Sequence, residues 1–350
     1  MIISRAATLR GKFVLPKWKK PARLLSSTFC RTIFMSRPAM SMAEEKEVKI
    51  TGLHLRGTED EPLFENRVAK SHLPRALTSE NAIDLLRSID AFLFDCDGVL
   101  WKGNNLIDGV PEALEALRSM GKKLLFVTND STKSRRQSAH KFHALGLDVR
   151  QEEIFSSSFA AAMYLKLNNF PHDKKVYVIG EEGILEELEL AGYTSIGGPE
   201  DGKKTIQLRP NFLFEHDKNV CYSLYLPGCL FIATNRDTVG HFTGVQEWPA
   251  AGCMVAAICE SVQKEPIIVG KPSTFMMDFL LERYQIDTSK MCMIGDRLDT
   301  DILFGKNAGC KTLLVLSGHT TLSRLMDPLN SIQPDYYTDI VSDIISLCAE

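Results

Sequence analysis

The chain has 350 residues, 44% of them hydrophobic and 24% charged, which suits one large or two ordinary domains with a sizeable core. Nine scattered cysteines without a Cys-x-x-Cys pair argue against a disulfide framework or a structural zinc site, and they fit a reducing compartment. Net charge is −3, yet residues 1–43 hold nine Lys or Arg and no acid, so the rest of the chain is acidic, which argues against a nucleic-acid surface; no apolar run is long enough to span a membrane.

Residues 1–43 are basic, Ser-bearing and acid-free, and they lack the apolar run of a secretory signal. They read as an organelle transit peptide, with a disordered basic tail as the alternative. Residues 44–79 are charged and weakly periodic and read as a poorly ordered connection. Ala82, Ile83, Leu85 and Leu86 have helical spacing behind Ser79. The apolar run Ala91–Phe94 reads as a buried strand that ends in Asp95-Cys96-Asp97-Gly98. Pro111 and Gly121 bracket a helix. A strand over Lys123–Val127 then ends in Thr128-Asn129-Asp130, and helices follow over about 133–145 and 158–167.

Lys175–Gly180 is again a strand and Ile184–Ala191 a helix. Residues 195–211 carry Gly197-Gly198-Pro199 and Gly202 and read as loop. A short strand, Cys229–Ala233, precedes a polar loop from Thr234 to Trp248. Alternation resumes with a strand into Gly270-Lys271-Pro272, a helix over Phe275–Tyr284, a strand ending at Asp296, a helix over Asp301–Ala308, and a strand over Thr312–Leu316. This alternation predicts an α/β fold: a doubly wound parallel sheet built from 80–171 and 265–350, with 172–264 inserted between its halves as a smaller α/β unit.

Four predicted strands end in chemically capable residues: Asp95 and Asp97, Thr128 and Asn129, Lys271, and Asp296. Parallel strands would bring those ends to one edge, where open α/β sheets bind ligands. Each segment alone has a plainer reading. Asp-Gly favours turns, Thr128 or Asn129 could cap a helix, Lys271 could lie in a simple turn, and Asp299 and Asp301 suit a helix N-terminus. Together, carboxylates, a hydroxyl and an ammonium group suit Mg²⁺ and an anionic ligand, and they suit phosphoryl transfer with a carboxylate nucleophile.

The four segments, in order, resemble the motifs of the haloacid dehalogenase superfamily, in the type whose cap lies between the second and third motifs. The wording of 85–345 is similar to its phosphoglycolate phosphatase and 4-nitrophenylphosphatase groups, through Asp95–Gly103, Gly180–Leu185, Ala233–Asp237 and Gly270–Asp278. The resemblance implies a Rossmann-like core and a Mg²⁺-dependent phosphatase acting on a small phosphate ester. It implies Asp95 as nucleophile and metal ligand, and Asp97 as acid/base with its carbonyl on the metal. Thr128 with the Asn129 and Asp130 loop would hold the phosphoryl group, Lys271 would neutralise charge, Asp296 would bind the metal, and Asp301 would orient metal-bound water or Lys271. Arg236 and His241 could reach a substrate carboxylate, or could be ordinary polar loop residues.

The expected substrate is 2-phosphoglycolate in the chloroplast stroma, in photorespiration. Alternatives are a broader phosphatase for aryl phosphates or pyridoxal phosphate, a mitochondrial or cytoplasmic location, and a catalytically impaired scaffold. No nucleic-acid or membrane partner is expected; a homodimer through the cap is. Two departures stand out. Asp130 replaces the Asn usual in the pattern, so it should either turn away from the phosphate or weaken its binding, and Asp130→Asn should lower KM without loss of kcat. The insertion is also short between Val220 and Cys229, which predicts a missing central strand and unpaired neighbouring edges.

Overall fold

The computed structural model describes residues 2–4, 73–202, 224, 228–240 and 248–348. The expected transit segment beyond residue 4, the connection up to residue 72, and His241 lie outside the described residues. In chain order, β1 (Ile2–Ser4) is followed by β2 (Arg75–Ala76), β3 (Ala91–Phe94), β4 (Trp101–Lys102), β5 (Asn105–Leu106), β6 (Lys123–Thr128) and β7 (Ile154–Ser156). Then come β8 (Lys175–Val178), β9 (Thr194–Gly197), β10 (Phe231–Ala233), β11 (Val239–Gly240), β12 (Trp248–Pro249) and β13 (Ile267–Ile268). The last strands are β14 (Met291–Gly295), β15 (Lys311–Val315) and β16 (Tyr336–Thr338).

The core is a parallel seven-stranded sheet in the order β2-β16-β15-β14-β3-β6-β7. Its central strands are apolar throughout because helices cover both faces: all four residues of β3 and all five of β14 are buried. Local sequence starts the helices cleanly. Thr78 and Asn81 form a reciprocal cap on Ser79–Ser88, and Ser134 and Gln137 do the same on Arg135–Ala144. The helix Val110–Ser119 begins beyond a left-handed Gly109 with Pro111 in its first turn. Residues 73–79, expected to be loose connection, instead supply β2 and the first cap, since Arg75 and Ala76 pair with Tyr336 and Tyr337.

A second sheet in the order β13-β10-β1-β8-β9 takes β8, β9 and β10 from the insertion, β13 from just beyond it and β1 from Ile2–Ser4, so the fold is an α/β Rossmann-like core with an α/β cap. The expected loop over 195–211 is in part the edge strand β9 and a helical turn at Pro199–Gly202. The helix Ala251–Val262 also follows what was read as a polar loop. One apolar cluster joins the two sheets. It runs from Leu93, Leu125 and Phe155 through Phe159 and Leu165 to Val176, Val178, Leu188 and Ile232. The helix Ser157–Leu167 lies inside this cluster, which explains why Ser157 through Ala162 are all buried.

Candidate active site

Three core strands deliver carboxylates or a hydroxyl to one edge. Asp95 follows β3, Thr128 ends β6, and Asp296 follows β14. The fourth segment arrives differently from expectation. Ile267–Ile268 pairs with β10 in the cap sheet, not with the core. Lys271 still reaches the site because Asn129 grips its backbone: Lys271 N–H donates to Asn129 Oδ1 at 2.9 Å, and Asn129 Nδ2 donates to the Lys271 carbonyl at 3.0 Å.

Lys271 is 1% exposed, and its ammonium donates to Asp95 Oδ1 at 2.5 Å and to the Val127 carbonyl at 2.7 Å, with Asp301 Oδ1 at 2.8 Å. Burial alone would lower its pKa, but the charges of Asp301 and Asp95 outweigh that and hold it well above the ordinary lysine range. Asp95 is pushed well above its ordinary value by burial, opposed by Lys271 and reinforced by Asp301 and Asp296. Burial and the Asp301 charge push Asp296 up to about 7.

Asp95, Asp296 and Asp301 each offer a carboxylate oxygen within 4.8 Å of the others, all three buried. Three acidic oxygens against one buried ammonium make a donor set that fits a hard divalent cation, which would remove the repulsion that burial leaves. Asp301 reaches this cluster because Leu298–Ile302 makes a wide π turn, where a plain helix from Asp301 was expected. Its Oδ2 accepts the Asp296 and Arg297 amides at 3.2 and 3.0 Å. Asp296 Oδ2 accepts the His319 amide at 2.6 Å. Two glycines make room for it. A Cβ on Gly318 would lie 1.9 Å from Asp296 Oδ2, and one on Gly98, which has φ +85°, would lie 2.5 Å from it.

Thr128 is buried, and its Oγ1 accepts the Asp130 amide at 3.0 Å, which leaves the hydroxyl proton for an outside acceptor. Asn129 lines the cavity, but its side-chain amide is bonded within the protein. Beyond its two bonds to Lys271, its Nδ2 donates to Asp237 at 3.1 Å, and its carbonyl accepts from Ser157 Oγ and Asn235 Nδ2. Asp130 folds into its own turn. Oδ1 accepts from the Thr132 amide and hydroxyl at 2.8 and 2.5 Å, and Oδ2 meets Lys133 at 3.0 Å. Burial would raise the Asp130 pKa, but Lys133 and Thr132 together bring it below the usual carboxylate value.

Asp97 is exposed beside the cluster, with Oδ1 accepting from Trp101 Nε1 at 2.8 Å and 3.6 Å from Lys141 Nζ. Arg236 is not brought to the site, because its guanidinium is paired with Glu265. Asp237, one residue on, was not singled out as a site residue. It lines the same cavity of about 630 Å³ as Asp95, Thr128 and Lys271, and burial pushes its carboxyl up. Arg297, Lys133 and Lys141 also line the cavity, each paired with an aspartate: Asp299, Asp130 and Asp97 respectively. The signal for Asp237 was present in the segment Asn235-Arg236-Asp237, but a polar loop gives no indication which of its side chains turns inward.

A family model described as haloacid dehalogenase-like hydrolase matches residues 92–194, and a related HAD-hydrolase-like model matches 268–344. Phosphoglycolate phosphatase 2 of Arabidopsis thaliana is 63% identical over 295 residues, covering 78% of this chain and 98% of the relative. The chloroplastic phosphoglycolate phosphatase 1A of the same plant is 57% identical over 304 residues, covering 80% of this chain and 84% of that one. Among solved structures, a p-nitrophenyl phosphatase from Archaeoglobus fulgidus superposes with a TM-score of 0.64 at 31% identity, covering 74% of this chain and 98% of that chain. In the first match, 295 aligned positions draw on 78% of a 350-residue chain. That is fewer residues than positions, so this chain is shorter than the relative somewhere inside the match.

Proposed function

Because the chain belongs to the haloacid dehalogenase-like hydrolases, we propose that it is a Mg²⁺-dependent phosphatase that splits 2-phosphoglycolate into glycolate and phosphate. The observation that carries this reading is the buried cluster of Asp95, Asp296, Asp301 and Lys271 at the mouth of a parallel sheet, in a chain 63% identical to a phosphoglycolate phosphatase.

Asp95, Asp296 and the Asp97 carbonyl would hold the Mg²⁺, with Asp301 beside them. The ion supplies charge neutralisation between the attacking carboxylate and the phosphate. Asp95 attacks phosphorus and becomes an aspartyl phosphate, and Lys271 screens the charge of both groups. Thr128 donates its free hydroxyl proton to a phosphoryl oxygen. Asp97 protonates the departing glycolate oxygen and afterwards takes a proton from the water that hydrolyses the aspartyl phosphate. Asn129 acts by holding Lys271. Residues 172–264 serve as the cap that closes over the cavity and would be where a second copy pairs. The chloroplastic relative, 57% identical to this chain, supports a chloroplast location.

Phosphate release from 2-phosphoglycolate, 4-nitrophenyl phosphate and pyridoxal phosphate, with and without Mg²⁺, tests the reading. The expected result is Mg²⁺-dependent release with the highest kcat/KM on 2-phosphoglycolate, and loss of about 10³-fold or more in Asp95→Asn. Equal kcat/KM across the three esters would overturn the substrate, and wild-type release no greater than that of Asp95→Asn would overturn the enzyme.

A further inference from the structure

The cap sheet contains a strand from an unexpected place. β8 and β10 do not pair with each other. Each pairs on its outer side with a parallel neighbour, β9 and β13, and on its inner side with β1, antiparallel to both. Ile2 stands opposite Val178 on one side and Ile232 on the other, and Ile3 opposite Tyr177 and Phe231. We propose that the N-terminal segment Ile2–Ser4 is a built-in complementing strand: it fills the slot between β8 and β10 and so fixes the spacing of the two cap loops that hold the phosphate-side loop of the core.

Three observations carry this. First, the slot is one strand wide. Neighbouring strands lie about 4.8 Å apart, so two strands separated by a third cannot bond directly. Second, the strands that border the slot are buried when it is filled. With β1 in place, Val176, Val178, Phe231 and Ile232 are buried, and without it the inward backbone groups of both strands would lose their ladder partners. The gap in this chain within that match agrees with a sheet short of one strand. Third, both flanking strands run into loops on the segment after Thr128. Beyond β8, the Gly183 amide donates to the Thr132 carbonyl at 3.0 Å, and a Cβ on Gly183 would lie 2.2 Å from the Lys133 backbone. Beyond β10, Thr234 bonds Ser131 at 3.2 Å, Asn235 Nδ2 donates to the Asn129 carbonyl at 2.8 Å, and Asp237 accepts from Asn129 Nδ2. One strand width therefore separates two grips on one loop.

The test compares the full chain, Ile3→Pro in the full chain, and a chain lacking residues 1–8, by amide hydrogen exchange across 175–179 and 230–234. A central strand cannot accept proline. The expected result is exchange about tenfold or more faster in both segments for the two variants, with β3 and β14 still protected, and recovery when a synthetic peptide of residues 1–8 is added to the shortened chain. Equal protection with and without the segment would overturn the proposal. So would protection that rises with protein concentration, since the strand would then come from a second copy. If the shortened chain is insoluble, Ile3→Pro decides alone by the same exchange criterion. A raised KM for 2-phosphoglycolate in the variants is the second readout and rests on the phosphatase reading. No phosphate release from any form, with the exchange pattern intact, would sink that reading and leave the strand standing.

Discussion

Asn129 spends both ends of its amide on holding Lys271 and Asp237. Asn129→Asp would turn a carboxylate oxygen toward the Lys271 carbonyl and the Asp237 carboxylate. Small displacements of a positioned group can cost about 10²-fold, so kcat/KM in phosphate release should fall by about that factor while the far-ultraviolet spectrum is kept. The neighbouring substitution has a different fate. Asp130 faces Thr132 and Lys133 rather than the metal cluster, so the sequence-based expectation of a lower KM for Asp130→Asn gives way to a stability effect. Asn can still accept from Thr132 but loses the Lys133 pair. A drop in Tm worth about 1 kcal/mol or less, with kcat and KM within about twofold of wild type, is expected. The identities of the acidic and basic residues were legible in the sequence because each follows a short apolar run. The directions of Asn129, Asp130 and Arg236 were not, since a polar side chain in a turn can bond its own loop or a ligand equally well.

At the scale of elements, the loop after β15 completes the acidic cluster by bringing Gly318 against Asp296. Gly318→Ala would displace that carboxylate, so calorimetry should show Mg²⁺ binding weakened by about tenfold or more while the thermal transition persists. A second element, the turn into β7, is pinned to the helix Val110–Ser119 through Glu153, whose oxygens accept from Arg118 at 2.8 and 3.1 Å and from the Arg150 amide at 2.9 Å. Burial would raise the Glu153 pKa, but the Arg118 bonds and the Arg150 amide overcome it and lower it. A folded pKa below the unfolded one gives stability that is present above the unfolded value and lost as pH falls through the folded one. Glu153→Gln should therefore lower Tm near neutral pH and flatten its acid limb below about pH 4.5, read by thermal melts across pH. Elements were legible where pattern and caps agreed, as at β3, β6 and β14. The missed ones lacked a signal. Ala251–Val262 has no side-chain cap, β9 is a half-exposed edge with polar residues, and β1 lies in a stretch whose charge points to targeting.

Across the whole molecule, the cluster through Phe159 and Leu165 makes the two sheets share one apolar interior. Core and cap should consequently melt together, and calorimetry should show a single transition; a separate early transition for the cap would contradict a shared interior. The central place of β1 bears on the order of events during synthesis. It leaves the ribosome before its partners β8 and β10, and both of those follow β3 and β6 of the core. The core sheet's β3 and β6 can pair while β1 is still waiting, so the cap sheet closes late and depends on a very distant contact. A nascent chain stalled before Phe231 would leave Ile2–Ser4 without its β10 partner, and completing β10 is the step that withdraws it. Any receptor that reads this segment must therefore act before the cap has closed, or pull the strand back out.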